Sequence, residues 1–93
     1  MRILLSFLLV VLALPLQARA DADADLRRAK DYFEYGEYER ARAIAEELLA
    51  QNVLASDEQL IDANRIVGLA WFYSDSPERL AMAERYFLQL LSI

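Results

Sequence analysis

From Asp21 to Ile93 the chain carries almost nothing that would stop a helix. Its glycines number two, Gly36 and Gly68, and of its two prolines only Pro77 falls in this stretch. Ala, Leu, Glu and Arg dominate, and all four are good helix formers. Apolar residues recur at steps of three and four, while no window alternates apolar and polar at period two, so no strand is expected. The reading is all-α, and the few breakers mark where the helices should end.

Four helices follow from these marks. The first is expected over about Ala24 to Tyr35, with Leu26, Ala29, Tyr32 and Phe33 on its apolar side and Gly36 at its end. Asp21, Asp23 and Asp25 lie at its start, where negative charge complements the helix dipole; the Asp-Ala alternation there reads as a frayed beginning. The second is expected over about Glu37 to Gln51, with Tyr38, Ala41, Ile44, Ala45, Leu48 and Leu49 as its stripe and Glu39, Arg40, Arg42, Glu46 and Glu47 largely wet. A short connection, Asn52 to Ala55, leads to Ser56-Asp57-Glu58-Gln59, which has the form of a capping box with Ser56 as N-cap. The third helix is expected over about Asp57 to Tyr73, with Leu60, Ala63, Ile66, Val67, Ala70 and Trp71 inward. After Ser74-Asp75, Ser76 should cap a fourth helix that begins at Pro77, a residue whose missing N–H costs nothing in the first turn. That helix should reach Leu91 with Leu80, Ala83, Phe87, Leu90 and Leu91 inward.

The first twenty residues, MRILLSFLLVVLALPLQARA, are of a different kind. Arg2 and the amino terminus make a positive start, Ile3 to Leu16 is apolar, and Ala18-Arg19-Ala20 supplies small residues before a cut at Asp21. This is the three-part pattern of a secretory signal. A membrane anchor is the competing reading, but the apolar run falls short of the roughly 20 residues that span a bilayer. The expectation is therefore a signal peptide over 1–20, one helical domain over 21–93, and export to the periplasm or the extracellular space, most simply from a bacterial cell. The membrane is then met only during export.

Removing 20 of 93 residues leaves 73, enough for one domain. The ten basic residues less Arg2 and Arg19 leave eight against fifteen acidic, a net charge of −7. That sign opposes binding to nucleic-acid phosphates and to anionic lipid. There is no Cys and no His. Thiol chemistry, disulfides and the usual zinc ligands are excluded, and so is the commonest general base. Two isolated glycines do not build a phosphate loop. Glu46 and Glu47 point to different helix faces, and Asp57, Glu58 and Asp62 gather at a helix start where capping explains them. No cofactor, metal or catalytic residue is expected.

The two hairpins share a pattern. Ala29, Gly36, Tyr38 and Ala41 place a small residue, a turn glycine, an aromatic and a second small residue at fixed offsets, with Tyr32 as the aromatic of the first helix. This resembles the tetratricopeptide (TPR) repeat, a 34-residue helix–turn–helix unit. Small residues at a helix crossing permit the close limit of the 8–10 Å axial approach. In the second unit Gly68 would take the small position of the first helix and Trp71 its aromatic, with Ala83 and Phe87 in the second helix. This unit departs from the family pattern in a longer turn and in the 42-residue spacing from Ala41 to Ala83. A plain four-helix bundle or a helical dimer would bury the same stripes.

The resemblance implies that the first helices of the hairpins line a concave groove. By position it assigns Lys30, Phe33 and Glu34 from the first unit, and Asp62, Arg65, Leu69, Phe72 and Tyr73 from the second. Trp71, Phe72 and Tyr73 are consecutive and splay around the helix, so at least one should be exposed. The basic clamp that many TPR proteins use for chaperone C-termini is not reproduced, because Arg65 stands alone and Leu69 occupies an amide's place. The implied function is a non-catalytic protein-interaction module or scaffold of the cell envelope, with a protein or peptide partner. The alternatives are a structural unit that self-associates through the apolar C-terminus at Leu88, Leu91 and Ile93, and the supporting N-terminal part of a longer envelope protein or repeat array. Two repeats are fewer than the three or so that a stable array usually needs.

Overall fold

The computed structural model describes residues 20–93. The expected signal segment lies outside them, save for Ala20. The described chain is all-α, with four helices and no strand. Helix α1 covers 20–34, α2 is Tyr38–Gln51, α3 is Asp57–Phe72 and α4 is Arg79–Leu91.

The breaks occur where the residues demand them. Gly36 adopts φ +79°, which a side chain would strain, and it lets the chain reverse in three residues. The turn is closed by the Glu37 amide donating to the Tyr32 carbonyl at 2.8 Å. Asn52 ends α2 in the left-handed conformation, φ 56° and ψ 42°, and its amide donates to the Leu49 carbonyl. The capping box opens α3 as read: the Gln59 amide donates to Ser56 Oγ at 3.1 Å, and Gln59 Oε1 accepts from the Ser56 amide at 3.3 Å. Helix α4 begins two residues later than the proline implied. Ser76 Oγ accepts from the Glu78 amide, so its cap closes a turn through Pro77 and Glu78, and regular helix starts at Arg79.

The start of α1 is not frayed. Residues 20–25 are helical, and Ala22 is buried among the core side chains. Asp23 pairs with Arg27 at 2.7 Å and accepts a bond from Gln59 Nε2 of α3 at 3.3 Å, while Asp25 pairs with Arg28. What reads as low-complexity Asp-Ala sequence is a helical turn whose alanine points inward and whose carboxylates satisfy neighbouring cations.

Small residues form much of the core. Ala29, Ala41, Ala45, Ala63 and Val67 are fully buried, and Leu26, Leu48, Ile66, Ala70 and Ala83 are nearly so. Ala29 and Ala41, the two small residues expected at the first crossing, are both in this set. Helices α3 and α4 approach closely at Gly68, where a Cβ would stand 2.6 Å from Cε1 of Phe87. Leu54 of the connecting segment also folds inward. Leu80 and Leu91 do not: they are 59% and 77% exposed, against the expected inward placement. The core side of α4 is taken by Ala83, with Tyr86, Phe87 and Leu90 half-buried beside it. Leu80 and Leu91 lie on an adjoining strip that nothing among the described residues covers.

The helices stack as two hairpins. Asp23 meets Gln59 and Lys30 meets Asp62, so α1 and α3 ascend together. Tyr38 meets Tyr73 and Glu46 meets Trp71, so α2 and α3 run in opposite directions. Each hairpin's first helix therefore lies beside the other's first helix, with α2 and α4 behind them.

Candidate functional site

Seven of the eight groove positions fall on α1 and α3 and the eighth, Tyr73, caps the end of α3; the structure brings most of them together. Lys30 Nζ lies 2.7 Å from Asp62 Oδ2, and Arg65 approaches the other Asp62 oxygen at 3.5 Å. Asp62 is thus not a spare capping residue of α3. It is the half-buried carboxylate that ties the two first helices together, with a cation on each side. Lys30, Phe33, Glu34, Arg65 and Ile66 line a depression of about 140 Å³. Glu34 and Arg65 are exposed at its rim. The four charges balance, so the floor has no strong preference for an ionic ligand. The volume is below the roughly 300–1,000 Å³ usual for small-molecule sites and suits one or two side chains.

At one end the groove runs into aromatics. Phe33 packs on Tyr38 with ring centroids 5.2 Å apart, Tyr38 on Tyr73 at 5.1 Å, and Tyr73 on Phe72 at 5.6 Å. These are the tilted and edge-on arrangements that aromatic rings prefer. Phe72 and Tyr73 remain 43% and 54% exposed. Trp71 is turned the other way: its Nε1–H donates to Glu46 Oε1 at 2.8 Å, and the Arg42 guanidinium stacks 3.9 Å from the ring centroid. The three consecutive aromatics are divided by helix geometry, one between α2 and α3 and two toward solvent. Leu69 is half-buried alongside them.

Four residues shape this region that positional assignment did not place there, two on the aromatic surface and two behind it. Tyr38, expected only as the aromatic after the turn, links the aromatics of the two hairpins. Arg79 donates to the Phe72 carbonyl at 2.9 Å and sits 5.5 Å above the Phe72 ring, pinning the end of α3 to the start of α4. Arg42 and Glu46, read as wet, are half-buried as the polar seat of Trp71. The seven-residue separation of Arg79 from Phe72 spans an irregular turn, so no helical period signals the contact. The remaining positions, Gly36, Gly68, Ala29, Ala41 and Ala83, serve the turn and the close helix approaches described above.

Among the described residues no group of three or more His, Asp or Glu side chains is arranged to hold a metal. No described helix is long and apolar enough to cross a membrane. Tyr86, half-buried behind the groove on α4, has its phenol pushed above the usual value of 10.0, first by burial and then by the negative Glu46, with Arg85 and Arg42 opposing. No protein-family model, curated protein or solved structure matches the chain.

Proposed function

We propose that this chain is an exported, non-catalytic protein-interaction module of TPR-like hairpins, which takes a peptide or a segment of a folded envelope protein along the α1/α3 face. The observation that carries the reading is the aromatic run Phe33–Tyr38–Tyr73–Phe72, held rigid by mutual ring packing and by Arg79, yet open to solvent at Phe72 and Tyr73. Exposed rigid aromatics beside an arginine are the commonest anchors of protein interfaces. The charge-balanced depression beside them would receive a neighbouring side chain of the partner. Export rests on the three-part pattern of residues 1–20.

The test is cross-linked capture from envelope extract by the full chain expressed in its own host, compared with Phe72→Ala/Tyr73→Ala. The expected result is a discrete protein partner lost with the double variant while helical content is kept. Undiminished capture would remove the groove assignment. Mass spectrometry of the recovered chain tests export separately: cleavage before Asp21 is expected, and a chain retained whole in the cytoplasm contradicts it.

A further inference from the structure

The exposed strip on α4 has a counterpart inside the molecule. Leu80, Glu84, Leu88 and Leu91 stand 42 residues after Tyr38, Arg42, Glu46 and Leu49, the same interval that separates Ala41 from Ala83. On α2 these four positions are the seat of α3. Tyr38 packs on Tyr73, Arg42 and Glu46 hold Trp71, and Leu49 packs against the core. On α4 the same face is chemically more apolar, yet Leu80, Leu88 and Leu91 are all more than half exposed. The repeat thus presents a second helix-binding face with no helix on it among the described residues.

A second copy of this chain is complementary to it in charge. The strip has leucines toward both ends and one charge, Glu84, near the middle. On α3, at the rim of the α1/α3 depression, stands Arg65, whose side chain is 57% exposed and lies 3.5 Å from an Asp62 already paired at 2.7 Å with Lys30. A two-fold axis across α4 that sets Leu80 opposite Leu91 of a second copy brings that copy's Glu84 level with Phe87. Phe87 lies against Gly68, and Arg65 is three residues before Gly68, about 4.5 Å along α3 at a rise of roughly 1.5 Å per residue. That is within the reach of an arginine side chain. Each copy then gives one Glu84 and one Arg65, in two reciprocal pairs flanking a leucine seam, as an isologous interface requires.

We propose that two copies of this chain pair through α4, in antiparallel two-fold contact of Leu80, Leu88 and Leu91, with Glu84 of each copy on Arg65 of the other. The contact takes Arg65 from the rim of the depression but leaves the aromatics Phe33 and Tyr73 free, so a dimer would offer two aromatic surfaces. The inference does not depend on the groove having a partner.

The experiment is sedimentation equilibrium on the full chain as its host delivers it, from about 1 to 100 µM, with the single-chain mass fixed by mass spectrometry. A mass twice that of one chain is expected. Leu88→Glu/Leu91→Glu should give a monomer with unchanged helical circular dichroism, since both side chains are already exposed. Glu84→Arg and Arg65→Glu should each weaken association at least tenfold, and the double variant Glu84→Arg/Arg65→Glu should return it to within about threefold of the natural chain. A natural chain that is monomeric at 100 µM overturns the proposal, as does a dimer indifferent to the leucine variants or a charge reversal that gives no recovery. Phe33→Ala/Tyr73→Ala should leave the mass unchanged and abolish only partner capture, which separates the failure of one reading from that of the other.

Discussion

Gly68 offers the sharpest test of how the helices pack. A methyl group added there would stand 2.6 Å from Cε1, 2.9 Å from Cδ1 and 3.0 Å from Cζ of Phe87, against an ordinary contact of 3.4 Å or more. The ring must therefore retreat by close to 1 Å, or α3 and α4 must part. Overpacking of this kind costs about 1–3 kcal/mol. Alanine recovers about 1 kcal/mol of helix propensity over glycine at an interior position. Phe87 is half-buried and can tilt only part-way toward solvent, which puts the cost near the middle of the range, about 2 kcal/mol. The expected net loss for Gly68→Ala is about 1 kcal/mol, or roughly 4–8 °C in melting temperature for a domain of this size. Replacing Phe87 by Leu removes the obstructing ring edge. In that background Gly68→Ala should become stabilising by up to about 1 kcal/mol, because only the propensity gain remains. The double-mutant cycle is read by urea unfolding followed through Trp71, the only tryptophan. A melting temperature raised by Gly68→Ala in the natural background would refute the close-crossing argument. So would an effect of the same size in both backgrounds.

Other consequences can be checked by the same unfolding assay. Gly36→Ala meets no neighbour but must hold φ +79°, so it should cost about 1 kcal/mol through the backbone alone, with Gly36→Asn costing less. Ser56→Ala removes the acceptor for the Gln59 amide and should lose about 1 kcal/mol, leaving the other helices unaffected. Because the Tyr86 phenol is raised in the folded chain, the folded state holds its proton more tightly than the unfolded one. The resulting stability is present in full below pH 10 and declines as the pH climbs through the raised value. Tyr86→Phe should flatten that part of the pH profile. Trp71→Phe deletes the donor to Glu46 and should destabilise by about 1–2 kcal/mol, since a half-buried carboxylate loses its partner; with the only tryptophan gone, its unfolding is followed by far-UV circular dichroism.

Much of this fold is legible in the linear chain because helix formation is decided over short ranges. The scarcity of glycine and proline, the Ser56–Gln59 box and the turn at Gly36 are local properties, and each produced the element expected of it. The stripes of α2 and α3 were readable for the same reason: with 3.6 residues per turn, burial has a period. The small position at Gly68 was expected through the resemblance to the TPR unit, and α3 and α4 do come close there.

Local signals failed where a residue's fate depended on what another helix did. The Asp-Ala alternation at the start of α1 carries no helical stripe, and only the arrival of α3 buries Ala22 and gives Asp23 its bond from Gln59. Leu80 and Leu91 have the spacing of core residues, but the core takes only the Ala83, Tyr86, Phe87 and Leu90 side of α4, and the adjoining edge of its apolar arc is left in water. Asp62 looked like a capping charge until α1 placed Lys30 against it. Sequence determined which segments would be helices and which sides were apolar. Only the tertiary structure decided which apolar side found a neighbour, because burial belongs to a pair of surfaces and not to either one alone.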